Sequence, residues 1–388
     1  MTGRALLAVL VSIAAASVIV AQAPSGRQSE GALQARPGAD RQPEFPVPDI
    51  RQYKPKSSLV VPEHPTPRAK YPVIDLHSHH NLPLQAADFK RVVTSMDALN
   101  LRVLVNSTGE SGAGLDEALR SIRASGYADR IVQFADVNFS RVAPGFGPAA
   151  ARQLEADVKA GALGLGELSK NLGLSARKAD GTRLKIDDPE LDPIWETAAR
   201  LNIPVLIHTA DPEKFWEPID YANERWLELA LYANRRYQDS RFPSFETLMG
   251  ERDRLFRRHP KTTFVAAHLG WHGNNLARLG KMLDEMPNLY TEVGAVLYDL
   301  GRQPRAAREF LVKYQDRVLF GKDNYQPDEF PYYWRTFETA DEYFDYYRDY
   351  HAFWKLYGLS LPDEVLRKLY YQNALKIVPG MPRTGFPK

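Results

Sequence analysis

The chain has 388 residues, 44% hydrophobic and 25% charged, which is enough apolar material for one large domain with insertions and excludes a wholly disordered chain. A formal net charge of +2, with both signs spread along the sequence, excludes the basic footprint that a nucleic-acid partner requires. Cysteine is absent, so disulfides, thiol nucleophiles and cysteine-ligated zinc are excluded, and any metal must be held by imidazole and carboxylate.

In chain order, residues 1–23 read as a secretory signal: Arg4, an apolar run from Ala5 to Ala21, and the small-x-small triplet Ala21-Gln22-Ala23. A secreted or periplasmic protein is expected, with no membrane association beyond that segment. Residues 24–70 carry prolines at 24, 37, 43, 46, 48, 55, 62, 65 and 67, a density that helices and central strands do not tolerate. They are expected to form a linker ending in an extended strap. Residues 71–388 are expected to form one domain.

There, short apolar runs alternate with stretches of helical periodicity, the signature of a parallel sheet with crossover helices. The predicted strands are 73–76, 102–106, 131–137, 162–168, 204–208, 263–268, 289–293 and 318–321. Such a series fits an α/β fold of the (β/α)8 TIM-barrel type. Two connections, 209–246 after the fifth strand and 324–361 after the eighth, exceed simple βα loops and should overhang the carboxyl ends of the strands. The second is dense in aromatic residues, which mostly serve to pack a lid. A final amphipathic helix to about Val378 should begin at Asp363, the expected cap.

The chemistry-bearing residues sit where those strands end. Val73-Ile74-Asp75-Leu76-His77-Ser78-His79 ends in His-x-His, and residues two apart on a strand point the same way, so both imidazoles can reach one cation. Later strands end in His208, His268 and Asp323. A barrel converges such side chains near its axis, and leaving several buried polar groups unsatisfied costs on the order of a few kcal/mol each, which points to a shared divalent cation. Glu167 ends the fourth strand, either as a further ligand or bridge or as a partner that orients one; a salt bridge to Lys170 is the plainer alternative. Lys170, on the opposite face, is a candidate for holding an anionic substrate group, with a solvated surface lysine the plainer reading, and His80, His272, Trp216 and Trp271 are candidate pocket walls, with a structural role the plainer reading of each.

Asp75-Leu76-His77-Ser78-His79, Pro204-Val205-Leu206-Ile207-His208-Thr209-Ala210-Asp211, Ala267-His268-Leu269-Gly270, Leu319-Phe320-Gly321-Lys322-Asp323 and Tyr370-Tyr371-Gln372-Asn373-Ala374 together resemble the amidohydrolase superfamily, in its amidohydrolase-related branch, over about residues 71–380. The resemblance implies a distorted (β/α)8 barrel in which His77, His79, His208 and Asp323 hold a principal metal. It also implies His268 as a second-metal ligand or water-activating base, with zinc as the commonest ion. Relatives often carry lysine where Glu167 stands and a small residue where Lys322 stands, so one or two ions remain open.

On this reading a cation activates water and polarises a carbonyl, Asp323 relays the proton and His268 orients the water, cleaving an amide, ester or lactone of a small molecule. One rival is non-oxidative decarboxylation of an aromatic or unsaturated acid on the same ligands. The other is a non-catalytic exported metal- or sugar-binding module. Homo-oligomerisation stays open.

Overall fold

The structure is a computed structural model that describes residues 45–46, 49–81 and 84–387. The expected leader over 1–23 and the first part of the linker lie outside the described residues. The chain divides into two units, 1–59 and 60–388. In the first, Gln52 and Tyr53 donate their backbone N–H groups to Asp49 O in one turn. Among the described residues, no helix is long and apolar enough to cross a membrane.

In the second unit, β1 (Val73–His79), β2 (Leu101–Asn106), β3 (Ile131–Gln133), β4 (Leu165–Leu168), β5 (Val205–Ile207), β6 (Phe264–Ala266), β7 (Leu289–Glu292), β8 (Val318–Leu319) and β9 (Asp323–Asn324) are all parallel, in the orders β3-β2-β1-β9 and β4-β5-β6-β7-β8. Backbone hydrogen bonds join the two sheets at both seams. Ala135 bridges Leu165 and accepts from Gly166 N at 2.7 Å, while Leu76 N donates to Phe320 O at 3.0 Å and Lys322 N to His77 O at 3.2 Å. β8 and β9 thus form one interrupted strand, and the ring is an eight-membered parallel barrel.

Several strands are shorter than their apolar runs predicted: β3 stops at Gln133 instead of Val137, β4 starts at Leu165 instead of Ala162, and β6 ends at Ala266. After Ala266 the chain enters a left-handed run, with φ of 59° at His268, 54° at Leu269, 56° at Gly270 and 56° at Trp271. Left-handed residues other than glycine each cost about 1–2 kcal/mol, so this turn must be held by its surroundings.

Helices cover the outside of the ring. Helix Ala86–Leu99 buries Phe89, Val92, Val93, Met96 and Leu99, spaced three or four apart, and stops where Asn100 turns left-handed (φ 66°). Helix Leu276–Glu285 starts where the Asn275 side chain accepts from Arg278 N at 3.1 Å. Trp195, on helix Asp192–Arg200, packs on Phe264 of β6 at 6.1 Å between ring centroids. Burying a large apolar side chain of this kind contributes roughly 1.5–3 kcal/mol.

Two long connections follow β5 and β9. The first includes the helix Trp226–Leu231 and the second the helix Phe330–Glu338, and Glu224 of the first pairs with Arg302 at 2.8 Å. Within the strap region, His64 Nδ1 lies 2.5 Å from Asp341 Oδ1 and Lys70 N donates to Glu338 Oε1 at 3.0 Å. Asp363 does not cap the last helix: Pro362 holds that position, and the Asp363 carboxylate accepts from Lys70 Nζ at 2.5 Å instead. Asp363 already lies inside the first turn, past the position from which a side chain caps the free N–H groups.

Candidate metal centre

The candidate ligands at the strand ends converge on one mouth of the barrel. His77 and His79 come from β1, Glu167 from β4, His208 follows β5, His268 follows β6, and Asp323 opens β9 with a left-handed φ of 77°. The pleat brings His77 Nε2 within 3.2 Å of His79 Nε2.

Glu167 lies at the centre. Its Oε1 is 2.8 Å from His208 Nδ1, 3.2 Å from His77 Nε2 and 3.5 Å from His268 Nε2, and its Oε2 is 3.2 Å from His79 Nε2. Asp323 Oδ1 stands 3.6 Å from His79 Nε2 and 3.9 Å from His77 Nε2. Two triads therefore offer ligand atoms within 4.8 Å of one another: His77, Glu167 and His268, and His77, His79 and Asp323. His208 belongs to neither; it approaches through Glu167 and through His268 Nε2 at 3.3 Å.

The electrostatics are those of a site built for positive charge. Burial opposes charging His77, but Glu167 and Glu292 outweigh it and hold its pKa well above the ordinary histidine range. Burial likewise opposes charging His208, yet Glu167 and Asp211 lift it to about 9. Burial would raise the Glu167 carboxyl, and the charges on His77 and His208 instead hold it well below its ordinary value. Four imidazoles round one carboxylate, with ring nitrogens facing each other and the buried Nε2 of His208 lacking a hydrogen-bond partner, make a donor set that suits a divalent cation.

Lys170 does not pair with Glu167. The chain leaves the strand after Leu168, and Lys170 Nζ reaches Asp211 Oδ2 at 2.5 Å, which Tyr237 OH also approaches at 2.6 Å. The lysine side chain stays 32% exposed at the rim. Trp216 sits apart from the imidazoles: its Nε1 donates to Pro243 O at 2.8 Å, and its ring lines an open groove of about 410 Å³ with Tyr237, Phe242 and Phe245. No residue of the imidazole cluster lines that groove. His272 contacts Arg252 and the Phe245 ring. It is buried with Nε2 3.3 Å from Arg252 Nη2, and burial followed by the guanidinium charge lowers its pKa to about 2.

The wall of the site is Trp271, whose ring lies 4.6 Å from that of His268 and 5.6 Å from that of His208 and whose Nε1 donates to Ala210 O at 3.0 Å. Sequence reasoning missed Glu292, at the end of β7, whose Oε1 lies 3.1 Å from His77 Nδ1. A polar residue closing an apolar strand is the signal that singled out the other ligands, and it applied here too. Asp75 was also missed. Its buried carboxylate accepts from His77 N at 3.2 Å and Lys322 N at 3.0 Å, pinning the two strand ends that carry His77 and Asp323.

A family model described as amidohydrolase matches residues 74–380. Among solved structures, the chain is similar to an uncharacterized TIM-barrel protein from Bordetella bronchiseptica, with 15% identity, a TM-score of 0.47, and 79% of this chain and 97% of that one covered. It is similar also to a protein described as amidohydrolase II, with 13% identity, a TM-score of 0.46, and coverage of 79% and 99%. An amidohydrolase from Burkholderia multivorans with bound HEPES aligns at 13% identity and a TM-score of 0.44, covering 79% and 100%. No curated protein matches.

Proposed function

The chain belongs to the amidohydrolase family, and from that premise we propose that it is a metal-dependent hydrolase that cleaves an amide, ester or lactone bond in a small molecule. The observation that supports this most is the convergence of His77, His79, Glu167, His208, His268 and Asp323 on one mouth of the barrel. His77, His79, Glu167, His268 and Asp323 would hold one or two divalent ions, of which zinc suits an imidazole and carboxylate set without thiolates. His208, adjoining through Glu167, would complete the shell.

When bound there, a divalent cation supplies Lewis acidity, lowering the pKa of water from about 16 towards 7 and polarising a scissile carbonyl. The residues do the rest. His268 Nδ1 donates to Gly294 O at 2.9 Å, which leaves Nε2, the nitrogen facing Glu167 at 3.5 Å, to bind the ion. The Asp323 side chain is 24% exposed, with Oδ1 turned to His79 and His77; its second oxygen takes the proton of the attacking water and returns it to the leaving nitrogen or oxygen as the C–N or C–O bond breaks. Trp271 closes off water from one side of the imidazoles. The Lys170 ammonium, shared with Asp211 at the rim, would hold a polar or anionic group of the substrate.

Metal analysis of the purified chain, followed by a panel of amides, esters and lactones run on wild type and Asp323→Asn, tests the proposal. Bound divalent metal and a loss of about 10²–10⁴ in kcat for the variant are expected. Turnover that survives complete metal removal, or an Asp323→Asn variant with wild-type kcat, defeats it. Carbon dioxide release from carboxylated aromatics without hydrolysis of any panel member would move the reading to the decarboxylase.

A further inference from the structure

Glu292 is fully buried and stands outside both ligand triads. Its contacts form a closed circuit behind the site. Oε1 lies 3.1 Å from His77 Nδ1 and accepts the backbone N–H of His268 at 2.6 Å, while Oε2 accepts the backbone N–H of Gly294. Gly294 O in turn lies 2.9 Å from His268 Nδ1. A carboxylate has only acceptors to offer, so the hydrogen on the His77–Glu292 contact belongs to His77 Nδ1. The Gly294 carbonyl makes the same demand of His268 Nδ1. Both rings are thereby left with Nε2 facing Glu167, at 3.2 Å and 3.5 Å.

The space for this carboxylate is built by absent side chains. A Cβ on Gly321 would collide with Glu292 Oε2, and one on Gly294 would sit 2.7 Å from the same atom. The left-handed turn at His268 has its N–H anchored on Glu292, which is the hold that an unfavourable φ of 59° needs.

We infer that Glu292 is a positioning residue which sets the Nδ1–H tautomer of His77 and, through the His268 N–H and Gly294, the orientation of His268, so that one buried side chain aims two ring nitrogens at the same cation. The inference rests on the metal reading given under Proposed function. Outer partners of metal-binding histidines typically change affinity by roughly 10–100-fold when altered.

The test uses the full chain, stripped with chelator and titrated with Zn2+ in competition with a chromophoric chelator, for wild type and Glu292→Gln. The amide keeps the volume and one acceptor but turns a donor towards the Gly294 N–H, so affinity should fall roughly 10–100-fold. Zinc-loaded wild type labelled with 15N-histidine supplies a readout that needs no variant and that a merely structural role would not dictate: His77 and His268 should carry their proton on Nδ1. A Glu292→Gln affinity within about twofold of wild type, against the expected loss, overturns the inference, as does a His77 with its proton on Nε2. If Glu292→Gln does not fold, the tautomers decide. A wild type that binds no Zn2+ overturns the metal reading itself, which separates that failure from the failure of Glu292 alone.

Discussion

Lys322 adjoins Asp323, and its ammonium is buried. Nζ pairs with Glu329, donates to Asn324 O at 3.1 Å, and lies 5.3 Å from the Tyr347 ring centroid and 5.6 Å from that of Phe330. Burial lowers its pKa, and Glu329 opposes that shift. Replacing it by methionine fills the volume and removes the charge. Breaking a buried ion pair from one side typically costs about 3–5 kcal/mol, because the partner is stranded. Glu329 is not stranded, since Arg348 keeps bonds of 3.2 Å and 3.1 Å to it. Lys322→Met should therefore cost less, about 1–3 kcal/mol. For a unit of this size that corresponds to a fall in Tm of about 1–2 °C per kcal/mol. The Asn324 carbonyl also loses its donor, so Asp323, in its left-handed conformation, should be held less firmly and kcat should fall with stability. The assay is urea unfolding of wild type, Lys322→Met, Glu329→Gln and the double variant, at low salt and in 0.5 M NaCl conditions (about a 4 Å screening length). A coupling energy of at least about 1 kcal/mol that high salt leaves unchanged is expected. Additive single effects, or coupling abolished by salt, would refute the reasoning.

Glu167→Gln removes the carboxylate that contacts four imidazoles; at equal free Zn2+ its metal content should drop about tenfold or more, and a wild-type content measured by atomic absorption would count against its central role. Burial, opposed chiefly by Arg302, raises the Asp299 carboxyl from 3.8 to about 6, so the folded chain keeps a proton that the unfolded chain has released. The associated stability is fully present below 3.8 and is lost as pH rises through 6. The difference is about 3 kcal/mol. Asp299→Asn should flatten the decline in urea midpoint across that window, and an unchanged slope would exclude Asp299 as its source. Gly147→Ala places a Cβ against the carbonyl of Glu190 and the ring of Pro193; a loss of about 1–3 kcal/mol should appear as a lower Tm, and a neutral variant would show that helix Phe146–Ala160 shifts freely.

The barrel was legible because its strands are short apolar runs bounded by polar residues, and a strand end is where a barrel places chemistry. His77, His79, His208, His268 and Asp323 were found that way, and all of them lie at one mouth. Glu292 obeys the same rule but was passed over because the predicted strand 289–293 ran on to Val293 and left it inside, whereas β7 ends at it. The pairing of Lys170 with Asp211 was not legible: it depends on the chain turning after Leu168, which alternation along a strand does not foresee. Strand lengths were overestimated for a related reason. Apolar runs continue into the turns beyond β3 and β6, where Phe134, Ala135 and Ala267 are as buried as the strands themselves. Hydrophobicity reports burial, and only the backbone decides where a ladder stops.

The Asp75 clasp has a consequence for how the enzyme matures. One carboxylate, near the start of the barrel, grips an amide 247 positions later, and the proposed ion is gripped from both sides of that same junction. A nascent chain still on the ribosome, or one cut short before its last strand, lacks the second grip however well its earlier turns have settled. Cation capture would then be the final step of biogenesis, and a tightly loaded ion would certify a finished molecule.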